Sequence, residues 1–192
     1  VNFDGPTSGS TQELDFTGFE RAIRTASSRM PPGSLMIIET TVPPGTTEKV
    51  VVPIVSEELT RRGLPLDAID VAHSYERVMP GRDYLESITN YWRVYAGVTD
   101  RAARRCADLL SGVIDTNRFP LTQLASPTAS ELAKVLENSF RAVNIALMDE
   151  WGAFAEEIGV DIFSVLDAIR LRPSHANIRE PGLGVGGYCL TK

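Results

Sequence analysis

A single helical pattern runs without interruption over residues 126–158, and no other feature of this chain limits its fold so strongly. A Ser-Pro pair begins the pattern, and it is followed by Gly159, the residue type that commonly ends a helix in the left-handed conformation. A helix of about 30 residues extends roughly 45 Å. Its apolar residues occupy a wide part of the helix surface, and a small monomer has too few other residues to cover all of them. We therefore expect a homodimer that forms through this helix.

The residues before this helix alternate between helical and strand-like patterns. Apolar residues recur at helical spacing over 13–30, 46–62 and 99–112, with Pro53 interrupting the second pattern. A short β-branched run covers 35–42, and two further strand-like segments cover 68–72 and 93–98. Such alternation is typical of an α/β layered sheet, and the run 35–42 is typical of a buried strand in a parallel sheet. We predict an α/β domain over 1–122 and a helical domain over 123–192, in which Asp161 caps a shorter helix ending near Arg170.

Composition excludes several classes of function. The formal net charge is -6 and 43% of the residues are hydrophobic, which favours a globular protein with a core over a nucleic-acid or anionic-membrane binder. No apolar run approaches the roughly 20 residues that a membrane span requires. The two cysteines, Cys106 and Cys189, are too few for a disulfide framework and favour a reducing compartment, so we expect a cytoplasmic protein.

The glycine-rich segment 181–192 is the most informative stretch for chemistry. It places Cys189 and Lys192 beside four glycines, where backbone amides can approach a ligand closely. Cations and amide dipoles can activate such a cysteine as a thiolate, although on residue type alone a structural thiol remains open. The glycines fit the spacing G-x-G-x-x-G, but no strand pattern precedes them, so we reject a dinucleotide-binding loop here. Cys106 lies within a helical pattern and is expected to be an inert core residue.

Two polar residues of the long helix form a second candidate. Lys134 and Asn138 are four residues apart and therefore share a helical face, where a cation and an amide donor could jointly stabilise an oxyanion. On spacing alone, a solvated lysine and a surface asparagine are the better explanation, because this pair is common at such spacing. The two histidines, His73 and His175, receive no functional assignment.

Four segments resemble the UDP-glucose/GDP-mannose dehydrogenase family. They are ETTVPPGTT (39–47), ERVMPG (76–81), ELAKVLENSFRAVNIALMDE (131–150) and GLGVGGYCLTK (182–192). The resemblance covers nearly the whole chain and implies the later part of a Rossmann-like NAD-binding domain, followed by an all-α central dimerisation domain built on the long helix. The form ERVMPG is most similar to the branch that oxidises N-acetylated sugars, such as UDP-N-acetylmannosamine or UDP-N-acetylglucosamine.

The resemblance implies an NAD-dependent, four-electron oxidation of the 6-hydroxyl of a UDP-sugar to the uronic acid, which supplies precursors of surface polysaccharides. The alcohol would lose a hydride to NAD, and Cys189 would capture the aldehyde as a thiohemiacetal. A second hydride transfer would give a thioester, which is a carbonyl that water can attack. Hydrolysis would then release the product.

Roles follow from motif position. Lys134 and Asn138 would stabilise oxyanions, Glu76 would assist proton transfer or water attack, and Thr41 would lie near the cofactor and water. The resemblance implies further cofactor contacts at Thr40 and Lys192 and no metal. It implies substrate contacts at Arg77, Arg172, Gly184, Val185, Gly186, Gly187 and Tyr188.

The chain also departs from the family pattern. Tyr75 stands where the family usually has a proline, which puts the geometry around Glu76 in doubt. The family's amino-terminal strand with its phosphate-binding glycine loop, an aspartate after Lys192 and the carboxyl-terminal domain have no counterpart here. We therefore expect a fragment that binds NAD poorly and is inactive alone.

Two other functions remain open at this stage. A non-catalytic module could dimerise through the long helix and retain the catalytic residues as relics. A hydroxyacid-type dehydrogenase would carry out a two-electron oxidation and also has a Rossmann domain followed by a long dimerising helix. That chemistry does not require Cys189, so the cysteine-containing loop distinguishes the two kinds of dehydrogenase.

Overall fold

A computed structural model describes residues 7–8, 13–78 and 81–186 of the chain. The chain divides into two compact units, Val1–Val135 and Leu136–Lys192. The predicted division at residues 122 and 123 stays a prediction. Each unit is described below by itself.

The first unit is built on a sheet of four strands. In chain order these are β3 (Ser34–Ile38), β4 (Ile69–His73), β5 (Val94–Gly97) and β6 (Thr122–Gln123), and their order in the sheet is the same. Strand β3 is parallel to β4 and β5 is parallel to β6, whereas β4 and β5 are antiparallel. Two further short strands, β1 (Thr7–Ser8) and β2 (Glu13–Leu14), pair with each other. The α/β sheet is therefore confirmed, although it is not parallel throughout.

Helices cover both faces of this sheet because successive side chains of a strand point to opposite sides. On one face, Met36 and Ile38 of β3 pack with residues of α1 (Thr17–Arg29) and α2 (Val52–Arg61). On the other face, Leu35 and Ile37 pack against a cluster that includes Cys106 of α4 (Asp100–Ser111). Strand β4 is buried along its whole length. A short helix, α3 (Tyr84–Thr89), lies between β4 and β5 in the chain.

Three element boundaries differ from the predictions. Helix α1 begins at Thr17 rather than near residue 13, because Asp15 accepts a hydrogen bond from the Thr17 amide and turns the chain there. Strand β3 ends at Ile38, so the segment 39–46 is a loop. Pro53 does not break its helix, because a π-helical turn, Thr47–Val51, precedes α2 and leaves Pro53 in the first turn of α2. Proline is tolerated in the first turn of a helix, because the first amides have no hydrogen-bond acceptor within the helix.

The long helix α5 (Pro127–Glu157) begins in the first unit and continues through the second. Gly159 follows it with a φ of 70°, which confirms the expected left-handed ending. Asp161 accepts a hydrogen bond from the Phe163 amide and caps α6 (Ile162–Arg170), as predicted. A short 3₁₀ helix, Pro173–His175, follows α6. Among the helices that the structure describes, none is long and apolar enough to cross a membrane.

Candidate functional site

The loops that follow β3 and β4 leave the sheet at the same edge, because these two strands are parallel. The first loop carries Thr40 and Thr41, and the second carries Glu76 and Arg77. The Ser74 amide donates to the carbonyl oxygen of Ile38 at 3.0 Å, which extends the pairing of the two chains beyond the strands. The carboxyl ends of parallel strands are the usual place for a ligand site in an α/β sheet.

Lys134 joins the start of α5 to this edge. Its Nζ donates a hydrogen bond to the carbonyl oxygen of Glu76 at 3.0 Å. The structure thus brings together two predicted residues that are 58 positions apart in the chain. Lys134 is half-buried, so its ammonium group is partly shielded from water and can act strongly on a developing negative charge.

The ring of Tyr75 lies close to two cations. Its side chain is almost completely buried, with 2% exposure, and its ring centroid lies 5.4 Å from Lys134 Nζ and 5.2 Å from Arg77 Cζ. Arg77 also donates to the Tyr75 hydroxyl at 3.0 Å and to the carbonyl oxygen of Trp92 at 2.9 Å. The face of an aromatic ring attracts cations. The residue that departs from the family pattern therefore fixes both neighbouring basic side chains.

The Glu76 side chain folds back on its own loop. Its Oε2 accepts a hydrogen bond from the Val78 amide at 2.5 Å, and the residue is half-buried. Thr40 and Thr41 are also half-buried. These three residues and Lys134 therefore belong to loops and a helix end that meet at one sheet edge.

A buried carboxylate holds the loop between β3 and α2. Glu131, which is 0% exposed, accepts hydrogen bonds from the amides of Gly45 at 2.5 Å and Thr47 at 2.7 Å. Thr47 is the first residue of the π-helical turn, so the carboxylate also lies at a helix amino terminus, where negative charge is favoured. Hydrogen bonds to a charged acceptor contribute about 1.5–3 kcal/mol each. Gly45 has a φ of 96°, a conformation that favours glycine.

His73 adds a further contact to the same helix end. Its Nδ1 lies 2.8 Å from Ser130 Oγ, and both side chains are completely buried. Burial lowers the pKa of His73 to about 4, although the backbone of Thr40 partly opposes this shift. The imidazole is therefore neutral at pH 7 and belongs to the core beneath the site.

The second unit holds the other predicted residues that are described. Asn138 is half-buried on α5 and Arg172 is exposed just before the 3₁₀ helix. Asp149 Oδ1 accepts a hydrogen bond from the Gly182 amide at 2.7 Å, which ties the glycine-rich segment to α5. Gly184 has a φ of 90°, and Val185 and Gly186 follow it as irregular chain. The roles of Arg172 and of the glycine-rich segment as substrate contacts remain predictions.

Four predicted site residues, Gly187, Tyr188, Cys189 and Lys192, lie outside the described residues. Cys106 is completely buried, as expected for an inert thiol, and burial together with the charge of Glu39 raises its pKa to about 12. The described part of the chain holds no cluster of three or more histidine, cysteine or acidic side chains that could bind a metal ion.

Sequence reasoning missed Glu131, Ser130 and His73 as parts of this arrangement. Glu131 belongs to a segment that carried the family resemblance, but an acidic residue near the start of a helix is common, and only the fold reveals its burial. No local sequence pattern indicates the contact between His73 and Ser130, because the two residues are 57 positions apart in the chain.

Comparison with known proteins covers nearly the whole chain. Residues 2–112 match the NAD binding domain of the UDP-glucose/GDP-mannose dehydrogenase family, and residues 128–192 match the central domain of the same family. A UDP-N-acetyl-D-mannosamine dehydrogenase of Pyrococcus horikoshii is 39% identical over 187 residues, which are 97% of this chain and 42% of that relative.

Two further similarities agree with these matches. An NDP-N-acetyl-D-galactosaminuronic acid dehydrogenase of Ralstonia solanacearum is 33% identical and is matched over 93% of this chain and 42% of its own length. The solved structure of the UDP-D-ManNAc dehydrogenase from Pyrococcus horikoshii superposes with a TM-score of 0.84 at 37% identity, covering 100% of this chain and 43% of that one. The chain therefore spans less than half the length of these relatives.

Proposed function

Because this chain belongs to the UDP-glucose/GDP-mannose dehydrogenase family, we propose that it supplies catalytic residues for the NAD-dependent oxidation of a nucleotide sugar. The hydrogen bond from Lys134 to the Glu76 carbonyl oxygen carries the proposal, because it unites two separate sequence motifs at the sheet edge where ligands of such folds bind. The names of the similar proteins favour an N-acetylated UDP-sugar as the substrate.

The residues at this edge fit one end of a dinucleotide. Thr40 and Thr41 offer half-buried hydroxyl groups, and the buried hydroxyl of Thr47 has no hydrogen-bond partner among the described residues. Glu131 already occupies the amino terminus of the π-helical turn, so that terminus cannot bind the pyrophosphate. Thr40, Thr41 and Lys192 would therefore hold the ribose and nicotinamide end. When bound, NAD would serve as the hydride acceptor, and because each NAD accepts one hydride, two NAD molecules would be needed in turn for each sugar.

The proposed chemistry removes two electrons from the sugar in each of two steps. In the first, the 6-hydroxyl loses a proton and its carbon loses a hydride, which leaves an aldehyde. The Cys189 thiolate then adds to the aldehyde carbon, and Lys134 and Asn138 stabilise the oxyanion of the thiohemiacetal. Loss of the second hydride gives the thioester. Water activated with the help of Glu76 then releases the uronic acid and restores the thiolate.

The remaining polar residues would bind the substrate. Arg77 is fixed by Tyr75 and can contact a sugar or phosphate oxygen, and Arg172 is a second candidate for this role. The backbone of residues 184–188 would line the nucleotide sugar, since glycine allows close approach. The product would serve as a precursor of surface polysaccharides, and we expect the enzyme to act in the cytoplasm.

We propose that the second unit also forms a homodimer through α5. Six apolar side chains of this helix, each between 48% and 65% exposed, recur at spacings of three and four residues and so form a stripe along it. They are Leu136, Phe140, Val143, Leu147, Trp151 and Phe154. A continuous apolar surface of this kind is typical of a helix that packs against a partner.

The test of the proposed oxidation is NADH formation by the chain together with any sequence that its gene encodes on either side. A panel of UDP-sugars, with and without N-acetyl groups, is supplied to the wild type and to Cys189→Ser. We expect two NADH per sugar from the wild type and a loss of turnover in the variant. One NADH per sugar with an unaffected variant would support the hydroxyacid type of two-electron oxidation instead.

A further inference from the structure

Glu131 is the most completely buried charged side chain near the proposed site, and both of its oxygens bind one loop. Oε2 accepts from the Gly45 amide at 2.5 Å and Oε1 accepts from the Thr47 amide at 2.7 Å. A carboxylate with 0% exposure requires such charge-assisted hydrogen bonds, because burial without partners is strongly unfavourable. Glu131 is therefore a fixed connection between α5 and the loop after β3.

This connection links two groups of residues that the proposed chemistry needs. Gly45 lies near the end of the loop 39–46, which also carries Thr40 and Thr41, and Thr47 begins the π-helical turn that follows it. Glu131 precedes Lys134 by three residues, which is just under one turn of α5. The two hydrogen bonds of Glu131 therefore contribute directly to the distance between the loop and the turn that carries Lys134.

We propose that Glu131 is a positioning residue, which holds Lys134 at its place relative to Thr40 and Thr41 without touching substrate or cofactor. The inference rests on the proposed function, because it gives Lys134 and the two threonines their roles. Both oxygens of Glu131 already accept hydrogen bonds, so the carboxylate is not arranged to act as a base. Displacement of a catalytic group by about 1 Å can lower a rate roughly 10²-fold.

Replacement by glutamine tests this role directly. The side chain keeps its length, but one of its two ends becomes an NH₂ group, which faces a backbone donor in either orientation. One of the two amides of the loop therefore loses its acceptor. The loop can then move away from α5 while the rest of the fold retains its packing.

Glu48 provides a matched control. It stands on the π-helical turn and accepts a hydrogen bond from the Thr128 hydroxyl of α5, so it joins the same loop region to the same helix. Unlike Glu131, Glu48 is exposed. A solvated carboxylate loses little when it becomes an amide, so Glu48→Gln is expected to leave the position of Lys134 unchanged.

The experiment compares Glu131→Gln, Glu48→Gln and the wild type in the same protein that is used for NADH formation. We expect kcat to fall on the order of tenfold to hundredfold in Glu131→Gln, with KM for the sugar changed by less than about threefold. Hydrogen exchange is expected to accelerate at the amides of Gly45 and Thr47. Glu48→Gln is expected to match the wild type in all three measurements.

Three results would contradict the inference. A kcat of Glu131→Gln within about twofold of the wild-type value would show that Glu131 is not needed for catalysis, even if hydrogen exchange accelerates. Unchanged hydrogen exchange at the amides of Gly45 and Thr47 would show that Glu131 does not hold the loop. Should Glu131→Gln fail to fold, Glu131→Asp keeps the charge and withdraws the carboxylate by one methylene, and wild-type kcat in that variant would also overturn the inference.

The same experiment separates this inference from the proposed function. If the wild type forms no NADH with any UDP-sugar, the proposed function fails, and the positioning role fails with it. If the wild type turns over and Glu131→Gln does so equally well, only the inference on Glu131 fails.

Discussion

The Lys134 ammonium group lies 3.0 Å from the carbonyl oxygen of Glu76, with the ring of Tyr75 5.4 Å away. This hydrogen bond orients the ammonium group while leaving two of its three N–H donors for other acceptors. An oxyanion that forms during the proposed reaction is such an acceptor.

We predict that Lys134→Met abolishes most of the activity. Methionine keeps much of the aliphatic packing but removes the charge, so kcat is expected to fall roughly 10²–10³-fold, as for the loss of one oxyanion donor. Steady-state kinetics with NAD and the preferred UDP-sugar measure the effect. Lys49→Met is the control, because Lys49 is exposed on the π-helical turn. A Lys134→Met enzyme that retains a third of its kcat would contradict the proposed role.

Asp70 is expected to stabilise the first unit through two arginines of α4. Its carboxylate is 3% exposed and lies 2.6 Å from Arg105 Nη1 and 2.9 Å from Arg101 Nε. Because both arginines are partly exposed, we expect Asp70→Asn to lower the free energy of unfolding by about 2 kcal/mol at pH 7, less than for a fully buried pair. Urea denaturation measures the change. Asp67→Asn, which alters an exposed partner of Arg101, is expected to have little effect.

The contribution of Asp70 should also depend on pH. Burial alone would raise its pKa, but the hydrogen bonds from Arg105 and Arg101 outweigh burial and lower the pKa below its ordinary value of 3.8. The folded state therefore binds this proton less readily than the unfolded state. The stabilisation is fully present above pH 3.8 and is lost as the pH falls through the lowered value. The difference between wild type and Asp70→Asn should therefore shrink in strongly acidic buffer, and a constant difference would contradict this explanation.

His73 should make the fold sensitive to acid at a higher pH. Burial lowers its pKa from 6.5 to about 4, so the unfolded state binds a proton between these values and the folded state does not. Stability is therefore complete above pH 6.5 and declines as the pH falls towards 4, by on the order of 3 kcal/mol. We predict that His73→Asn loses less stability than the wild type between pH 7 and pH 4.5, when both are unfolded with urea. His175→Gln is the control, because His175 is exposed.

The apolar stripe of α5 predicts a change in oligomeric state. The wild-type chain is expected to have about twice its monomer mass of 21.0 kDa in light scattering at micromolar concentration. Leu147→Glu combined with Trp151→Glu places two charges on the stripe, which a packed interface cannot solvate, and is expected to give the monomer. Leu109→Glu alters a leucine of similar exposure on α4 and should leave the mass unchanged. A monomeric wild type would refute the dimer.

The sequence predicted most of the helices and strands, but it did not predict the direction in which every strand pairs or the π-helical turn. Gly159 and Asp161 marked the end of α5 and the start of α6, because left-handed glycine and helix caps are local features. The antiparallel pairing of β4 and β5 was not predictable in the same way, since strand direction depends on how the chain returns between residues 73 and 94. The π-helical turn before Pro53 likewise depends on the packing of its surroundings.

The candidate site was predictable only in part. Lys134 and Glu76 were found through motifs, and the structure places them in contact. Tyr75 stood out as a departure from the family pattern, but its contacts with two cations required the fold. Glu131 was missed because its importance comes from complete burial against a loop 84 residues earlier in the chain, which no local pattern reports.

The reversal of direction at β5 separates two ends of the sheet. Because β5 is antiparallel to β4, the chain leaves β5 at Gly97 on the edge opposite to the loops that carry Thr41 and Glu76. At that exit α4 approaches so closely that a Cβ on Gly97 would lie 2.2 Å from the Ala103 amide nitrogen. A fluorescent reporter attached at Asp67, which is exposed in the turn entering β4 from this remote edge, would therefore report on unfolding without obstructing the proposed chemistry.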